Sequence, residues 1–253
     1  MLPAGMSTLQ TELQRLYLPH DAQPEGQDAA ADTLRLIDAD GRVRAMVVEL
    51  AQQAGWAGVA ALWQGVQDEL ELPAPAIAVS GVDGYQLWFS LAEPVPLDQA
   101  LAFLESLRQR YLGAIAAKHI RIKPQAQDFV PGQGQPIKQV PARQGESGHW
   151  SAFVAPGLAG MFADEPWLDT PPSPDAQAKL LAGVQSIQPA EFRLALDRLC
   201  PVGTSAARAS GSVTGDGAQE VQNPKRFLLA VMNDPAIDMP LRIEAAKALL
   251  PYF

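Results

Sequence analysis

The chain has very few of the residues that build disulfide frameworks and zinc sites. Its 253 residues include one cysteine, Cys200, and three histidines, His20, His119 and His149. A single cysteine excludes an intramolecular disulfide and a cysteine-based metal cluster. The histidines lie far apart in the sequence and lack the i, i+4 or paired spacing of a zinc site. The sequence therefore predicts no bound metal.

Long apolar runs and glycine-rich phosphate loops are also missing. No stretch approaches the roughly 18 uninterrupted apolar residues of a membrane-spanning helix. The first six residues contain neither a basic region nor an apolar run. No Gly-x-x-x-x-Gly-Lys-Ser/Thr or Gly-x-Gly-x-x-Gly loop follows a predicted strand. Because 47% of the residues are hydrophobic, we expect a substantial core. The missing signal and spanning segments and the single cysteine lead us to expect a cytoplasmic protein with no membrane association.

Basic residues are outnumbered, and the net charge is −9. This balance counts against indiscriminate binding of a polyanion. The charge is uneven, however, because residues 101–150 hold seven basic and three acidic side chains. Such a basic window is compatible with a phosphate-binding site and equally with a solvated face.

The composition divides the chain into four segments. Residues 1–32 are expected to form a short amphipathic helix and a polar connection. Residues 33–200 carry the patterns of an α+β domain. Residues 201–222 are small, polar and rich in Gly and Ser, which is the composition of a flexible linker. Residues 223–253 are expected to form a small helical appendage.

Within the α+β domain, hydrophobic periodicity and turn residues predict alternating strands and helices. The strands are expected at 33–37, 42–50, 75–80, 85–91, 119–123, 136–141 and 149–154, and the helices at 51–72, 97–112, 175–184 and 189–199. The first two strands would form a hairpin around Asp38-Ala39-Asp40-Gly41. Asp38 and Asp40 also fit a paired-carboxylate metal motif, but the glycine and the flanking strands favour a turn.

The hairpin at 78–91 is the basis for predicting a binding cleft. After the glycine turn, Tyr85, Leu87, Phe89 and Leu91 share one face of the strand. The opposite face carries Gln86, Trp88 and Ser90. A strand face with this polar composition often borders a cleft rather than a second core, although an ordinary half-exposed hairpin has the same pattern.

A second polar strand face is expected at 119–123. Ile120 and Ile122 would point to one side, and His119, Arg121 and Lys123 to the other. Three basic side chains on one face repel each other unless an anion or water lies over them.

The motifs at 78–96 resemble those of archaeo-eukaryotic primases, in particular primase-polymerase domains of mobile elements and conflict systems. The shared features are Ser80-Gly81-x-x-Gly84-aromatic, a Trp-containing strand, and Glu93-Pro94-Val95-Pro96 before a helix. Glu49 lies on the preceding strand, 37 residues before Gln86. The resemblance extends over about 33–170. It implies an RRM-like, primase-type antiparallel sheet packed by helices.

The departures from this family concern its catalytic groups. Two-metal nucleotidyl transfer requires two or three carboxylates, and Glu49 stands alone on the expected strand. Gln86 occupies the position of the nucleotide-binding histidine, and the strand of the third acid carries Arg121 instead. The resemblance therefore implies a retained fold, lost catalysis, and Mg²⁺ or Mn²⁺ as cofactor only if activity remains. Asp38, Asp40 and Asp128 stay open as substitute ligands.

Three functional hypotheses follow. The first is binding of nucleic acid or a nucleotide in a cleft, with Glu49 as a doubtful catalytic residue. Its binding residues would be Ser80, Gly81, Gly84, Gln86, Trp88, His119, Arg121, Lys123 and Lys138. The second is a scaffold in which the cleft is a remnant, and the third is an active primase-polymerase. Residues 223–253 resemble a helical segment of phage small-terminase-like proteins, which suggests a partner protein and a DNA replication context.

Overall fold

Helices and antiparallel strands alternate along the chain, so the expected α+β class is confirmed. The computed structural model describes residues 7–18, 33–125, 137–145 and 147–199. The predicted linker at 201–222 and the predicted helices at 223–253 lie outside the described residues.

The predicted helices are observed with somewhat different ends. The helices are α1 (Thr8–Tyr17), α2 (Gly55–Asp68), α3 (Leu97–Tyr111), α4 (Pro156–Ala159), α5 (Pro174–Ala182) and α6 (Pro189–Leu199). The strands are β1 (Thr33–Leu34), β2 (Arg42–Ala51), β3 (Ala76–Val79), β4 (Gly84–Pro96), β5 (Ile120–Lys123), β6 (Ile137–Lys138) and β7 (Ala152–Val154). Single 3₁₀ turns cover Gln52–Ala54, Ala117–His119 and Gly160–Phe162. The short α4 and the turn after it are not predicted by the periodicity.

Five strands form one antiparallel sheet in the order β5-β2-β4-β3-β7. From β2 to β5 the chain runs strand, helix, strand, strand, helix, strand, which is the succession of ferredoxin-like folds. In the observed strand order, β2 and β4 are adjacent, and each lies between two other strands. A polar residue near the end of either strand is therefore flanked by strands on both sides.

One face of the sheet packs against α2 and α3. The apolar stripes predicted for these helices are buried there, with Val59, Leu62 and Val66 from α2 and Phe103 and Leu107 from α3. The strands contribute the alternating side chains that the sequence assigned to this face, Tyr85, Leu87, Phe89 and Leu91. The alternation of apolar residues in β4 was thus a correct guide to the main core.

The opposite face carries a second core, which corrects the expectation of an open polar face. Leu9, Leu13 and Leu16 of α1 and Leu181 of α5 cover it. Trp88 lies beneath them with no exposed surface. An indole enclosed in this way cannot stack on a base, because a base would first have to displace α1.

The predicted hairpin at 33–50 forms only in part. Ile37 and Val43 make a single antiparallel bridge around the turn. The Asp38 carboxylate accepts the backbone N–H groups of Asp40 and Arg42 at 3.0 and 2.8 Å, so it serves the turn. Strand β1 pairs with β6 instead of β2. This partner is about a hundred residues away, and local patterns cannot predict such a pairing.

The outer edge of β7 is closed by a side chain. Gln177 of α5 accepts the Phe153 N–H at 2.8 Å and donates to the Phe153 carbonyl at 3.0 Å. One amide thus takes the place of a neighbouring strand, which protects the edge from pairing with another chain.

The buried hydroxyl of Tyr17 allows an experimental test of the second core. The Tyr17 ring lies 5.1 Å from that of Trp88, and its hydroxyl has no hydrogen-bond partner among the described residues. Burial raises the pKa of Tyr17 far above its ordinary value, so the phenol stays neutral. Tyr17→Phe is expected to raise the free energy of unfolding by about 1 kcal/mol, because it removes an unpaired buried hydroxyl.

Urea unfolding followed by tryptophan fluorescence measures this change. Tyr111→Phe is the matched control, since the Tyr111 hydroxyl donates to the Gly65 carbonyl or to Glu69, each at 3.2 Å. The control is expected to lose up to about 1 kcal/mol. A loss of stability in Tyr17→Phe would show that its hydroxyl is paired in solution.

Candidate functional site

A cleft opens where the second core ends, at one end of the sheet. The β-ladder aligns Arg121, Glu49 and Gln86 side by side across β5, β2 and β4. Two residues further along, the same face carries Lys123, Val47 and Trp88, where the second core begins. The polar row therefore forms the floor of the cleft, whose volume is about 420 Å³. Glu49 and Gln86, which the first functional hypothesis placed in one cleft, are thus neighbours on adjacent strands.

The carboxylate of Glu49 is held from two sides. Gln86 Nε2 donates to Glu49 Oε1 at 3.1 Å, and Arg121 Nε lies 3.4 Å from Glu49 Oε2. The Gln86 amide is itself oriented, because Trp88 Nε1 donates to Gln86 Oε1 at 3.1 Å. Trp88 thus reaches the site through Gln86 and not as a stacking surface. The basic repulsion expected on β5 is relieved by an acid directly opposite Arg121.

A second carboxylate, which the sequence analysis did not select, completes this network. Asp83 Oδ2 lies 3.6 Å from Arg121 Nη2. The Arg121 side chain is 60% exposed, and it lies between Asp83 and the 21%-exposed Glu49. The one indication in the sequence of a role for Asp83 was its position in the glycine turn, where its side chain can reach groups at the strand ends.

Ser80 organises that turn. Its Oγ accepts the backbone N–H groups of Val82, Asp83 and Gly84 at 3.1, 3.0 and 3.0 Å. The hydroxyl oxygen thereby occupies the concave backbone surface where an anion would otherwise bind. Ser80 lines the cleft, and the contacts of its oxygen are structural.

The two glycines of the motif are required by close packing. Gly81 has φ +77°, and a Cβ there would lie 2.7 Å from the backbone nitrogen of Ser151. At Gly84 a Cβ would lie 2.0 Å from the carbonyl oxygen of Leu50. Gly84 borders the cleft, whereas Gly81 does not line it. Both residues shape the turn without offering a ligand-binding side chain.

The opposite wall comes from the end of β6 and the segment after it. Lys138, Gln139 and Gln144 line the cleft there. Lys138 Nζ donates to the Arg143 carbonyl at 2.6 Å and to Gln144 Oε1 at 3.2 Å, so this predicted cation is engaged within its own wall. No contact fixes the Gln139 side chain among the described residues.

Tyr85 also borders the cleft, but its polar end is committed elsewhere. Its hydroxyl donates to the Ala159 carbonyl at 2.8 Å, and burial raises the pKa of Tyr85 to about 12. The phenol therefore remains protonated and serves as a fixed link to α4.

Three predicted site residues lie outside the cleft lining in addition to Gly81. Trp88 is enclosed in the second core, and neither His119 nor Lys123 lines the cavity. His119 ends a 3₁₀ turn rather than beginning β5, so the alternation expected over 119–123 starts one residue too early. The structure brings together Glu49, Ser80, Gly84, Gln86, Arg121 and Lys138.

The charge of the cleft differs from the expected basic surface. Glu49 and Asp83 offset Arg121 and Lys138, so the lining carries formal charges that balance. Within the described residues, no group of three or more His, Cys, Asp or Glu side chains could hold a metal ion. Of the substitute ligands left open, Asp38 serves its turn, Asp40 lines no part of this cleft, and Asp128 lies outside the described residues.

Comparison with known proteins adds no relative. A scan against models of known protein families finds no match, and a search of curated proteins finds no similar sequence. The cleft itself must therefore carry the functional argument.

No helix in the described part of the chain is both long and apolar enough to cross a membrane.

Proposed function

We propose that the protein binds a nucleotide or single-stranded nucleic acid in the cleft, as a primase-like protein without nucleotidyl-transfer activity. The observation that carries this proposal is the row Arg121–Glu49–Gln86 at the open end of an RRM-like sheet. A cleft with a few convergent polar groups and a volume of several hundred Å³ is typical of small-ligand sites. The DNA replication context rests on the family resemblance alone.

The donor set argues against metal-dependent catalysis. Two cations about 4 Å apart require carboxylates that are free to bridge them. Here Arg121 lies between Glu49 and Asp83, and its guanidinium already supplies the positive charge at that position. The residues present therefore do not fit a two-metal centre, and Mg²⁺ or Mn²⁺ has no place in the proposed function.

Calorimetric titration with nucleotides and short single-stranded DNA tests the binding. Gln139→Trp fills the cleft from the wall and is expected to weaken binding at least about tenfold, because a bound ligand and the new ring would share the same space. Gln99→Trp, on the exposed side of α3, is the matched control and should bind normally. Wild-type protein that binds neither ligand would refute the proposal.

A primer-extension assay with Mg²⁺ or Mn²⁺ separates the other candidates. We expect no incorporation. Incorporation that disappears in Glu49→Ala would instead establish an active primase-polymerase. A partner protein that binds equally well to Gln86→Ala and Arg121→Ala, without any nucleotide binding, would establish the scaffold.

A further inference from the structure

The face of the sheet beyond the cleft is closed to a nucleic acid strand. Leu13, Leu16 and Tyr17 of α1 and Leu181 of α5 cover the strands. Proteins that bind a run of single-stranded nucleic acid use an open groove with aromatic side chains for successive bases. The aromatic side chains of this face, Trp88 among them, contact each other within the core instead. Among the described residues, the end of the sheet is the part of this face that stays open.

The cations of the cleft are already engaged by the protein. Arg121 is paired with Glu49 and Asp83, and Lys138 donates to a carbonyl and an amide oxygen. A phosphate would have to compete with these partners and would meet two carboxylates nearby. Attraction of phosphates is therefore a weak source of affinity at this site.

Uncharged hydrogen-bonding groups make up much of the remaining lining. Gln86 lies on the floor of the cleft, and Gln139 and Gln144 approach from the wall. Gln86 Oε1 accepts from Trp88 and Nε2 donates one hydrogen to Glu49, so among the described residues the second hydrogen of Nε2 is left as a donor for a ligand. Among the described residues, no group occupies the donor or the acceptor of the Gln139 side chain. Amide groups of this kind pair with the edges of nucleobases.

We infer that the cleft takes a single nucleotide unit and recognises its base through these side-chain amides, rather than holding a strand by its phosphates. This inference rests on the proposed function and selects one of its two ligand classes. The base lies against Gln86 and Gln139, and the phosphate points toward the open mouth.

Titrations with the four nucleosides, their 5′-triphosphates and, for the base that binds, homo-oligonucleotides of about one to eight nucleotides test the inference. We expect one nucleoside and its triphosphate to bind within about threefold of each other, because the cations of the cleft are already paired and two carboxylates lie nearby, so the phosphates add little attraction. The molar affinity should stay nearly constant with oligonucleotide length. Gln139→Leu should weaken the nucleoside at least about fivefold, and Gln99→Leu should leave it unchanged.

Two results would overturn the inference while leaving the proposed function intact. One is an oligonucleotide affinity that rises more than about tenfold with oligonucleotide length. The other is an oligonucleotide affinity that falls more than about tenfold when the salt concentration rises from 50 to 200 mM. Either would show a strand held by phosphates. Failure of every nucleoside, nucleotide and oligonucleotide to bind would instead refute the proposed function itself.

Discussion

Arg44→Met is expected to lower the free energy of unfolding by about 3–5 kcal/mol. Arg44 is 6% exposed, and within the described residues its guanidinium has no carboxylate partner. It donates to the carbonyls of Gln14, Arg15 and Leu18 at the end of α1, at 3.3, 2.5 and 2.5 Å, and to Leu91 on β4.

The physical reason is that Arg44 supplies hydrogen bonds to the carbonyl groups at the end of α1. The last carbonyl groups of a helix have no partner within the helix, and a cation at that end is favoured by the helix dipole. Methionine has a similar length but no donor, so several buried carbonyls would lose their hydrogen bonds together. Desolvation by burial lowers the pKa of Arg44 from its ordinary value. The methionine side chain would lie in the same desolvated surroundings.

Urea unfolding at fixed pH measures this loss. Arg42→Met, two residues earlier on the same strand and exposed, is the matched control and should cost no more than about 1 kcal/mol. Arg44→Lys should recover part of the loss, because an ammonium group supplies three donors but not the planar fork. Equal losses in the Arg44 and Arg42 variants would mean that α1 does not depend on this contact.

Gly84→Ala is expected to cost more than about 3 kcal/mol and to disturb the cleft. Its Cβ would lie 2.0 Å from the Leu50 carbonyl oxygen and 2.9 Å from the Ala51 Cα. Both obstacles belong to the backbone of β2, so relief requires β2 and β4 to separate. Because Glu49 and Gln86 lie on these same strands, their contact would lengthen as well.

Thermal unfolding and ligand titration report the two effects of Gly84→Ala. Gly157→Ala is the control, since a Cβ there meets nothing within 4 Å and the residue is helical and exposed. Alanine at such a helical position is expected to stabilise the protein by up to about 1 kcal/mol. Wild-type stability in Gly84→Ala would show that the strands are further apart in solution.

Local patterns were a good guide wherever one element determines its own buried face. The apolar stripes of α2 and α3 and the alternation in β4 required only the helical and extended periodicities. The contact of Glu49 with Gln86 depends on the pairing of β2 with β4, which the sequence analysis did not predict. Trp88 was misplaced because its exposure depends on α1, which lies some seventy residues earlier in the chain.

The amino-acid sequence alone determined the α+β class and most of the helices and strands, whereas the row of Arg121, Glu49 and Gln86 depends on the observed strand pairing. The class and the elements follow from spacing within and between neighbouring elements. The tertiary structure decided that a second core covers the sheet, and that Asp83 and Glu49 pair with Arg121. Burial and charge pairing arise from contacts between distant segments, and no local pattern encodes which segments meet.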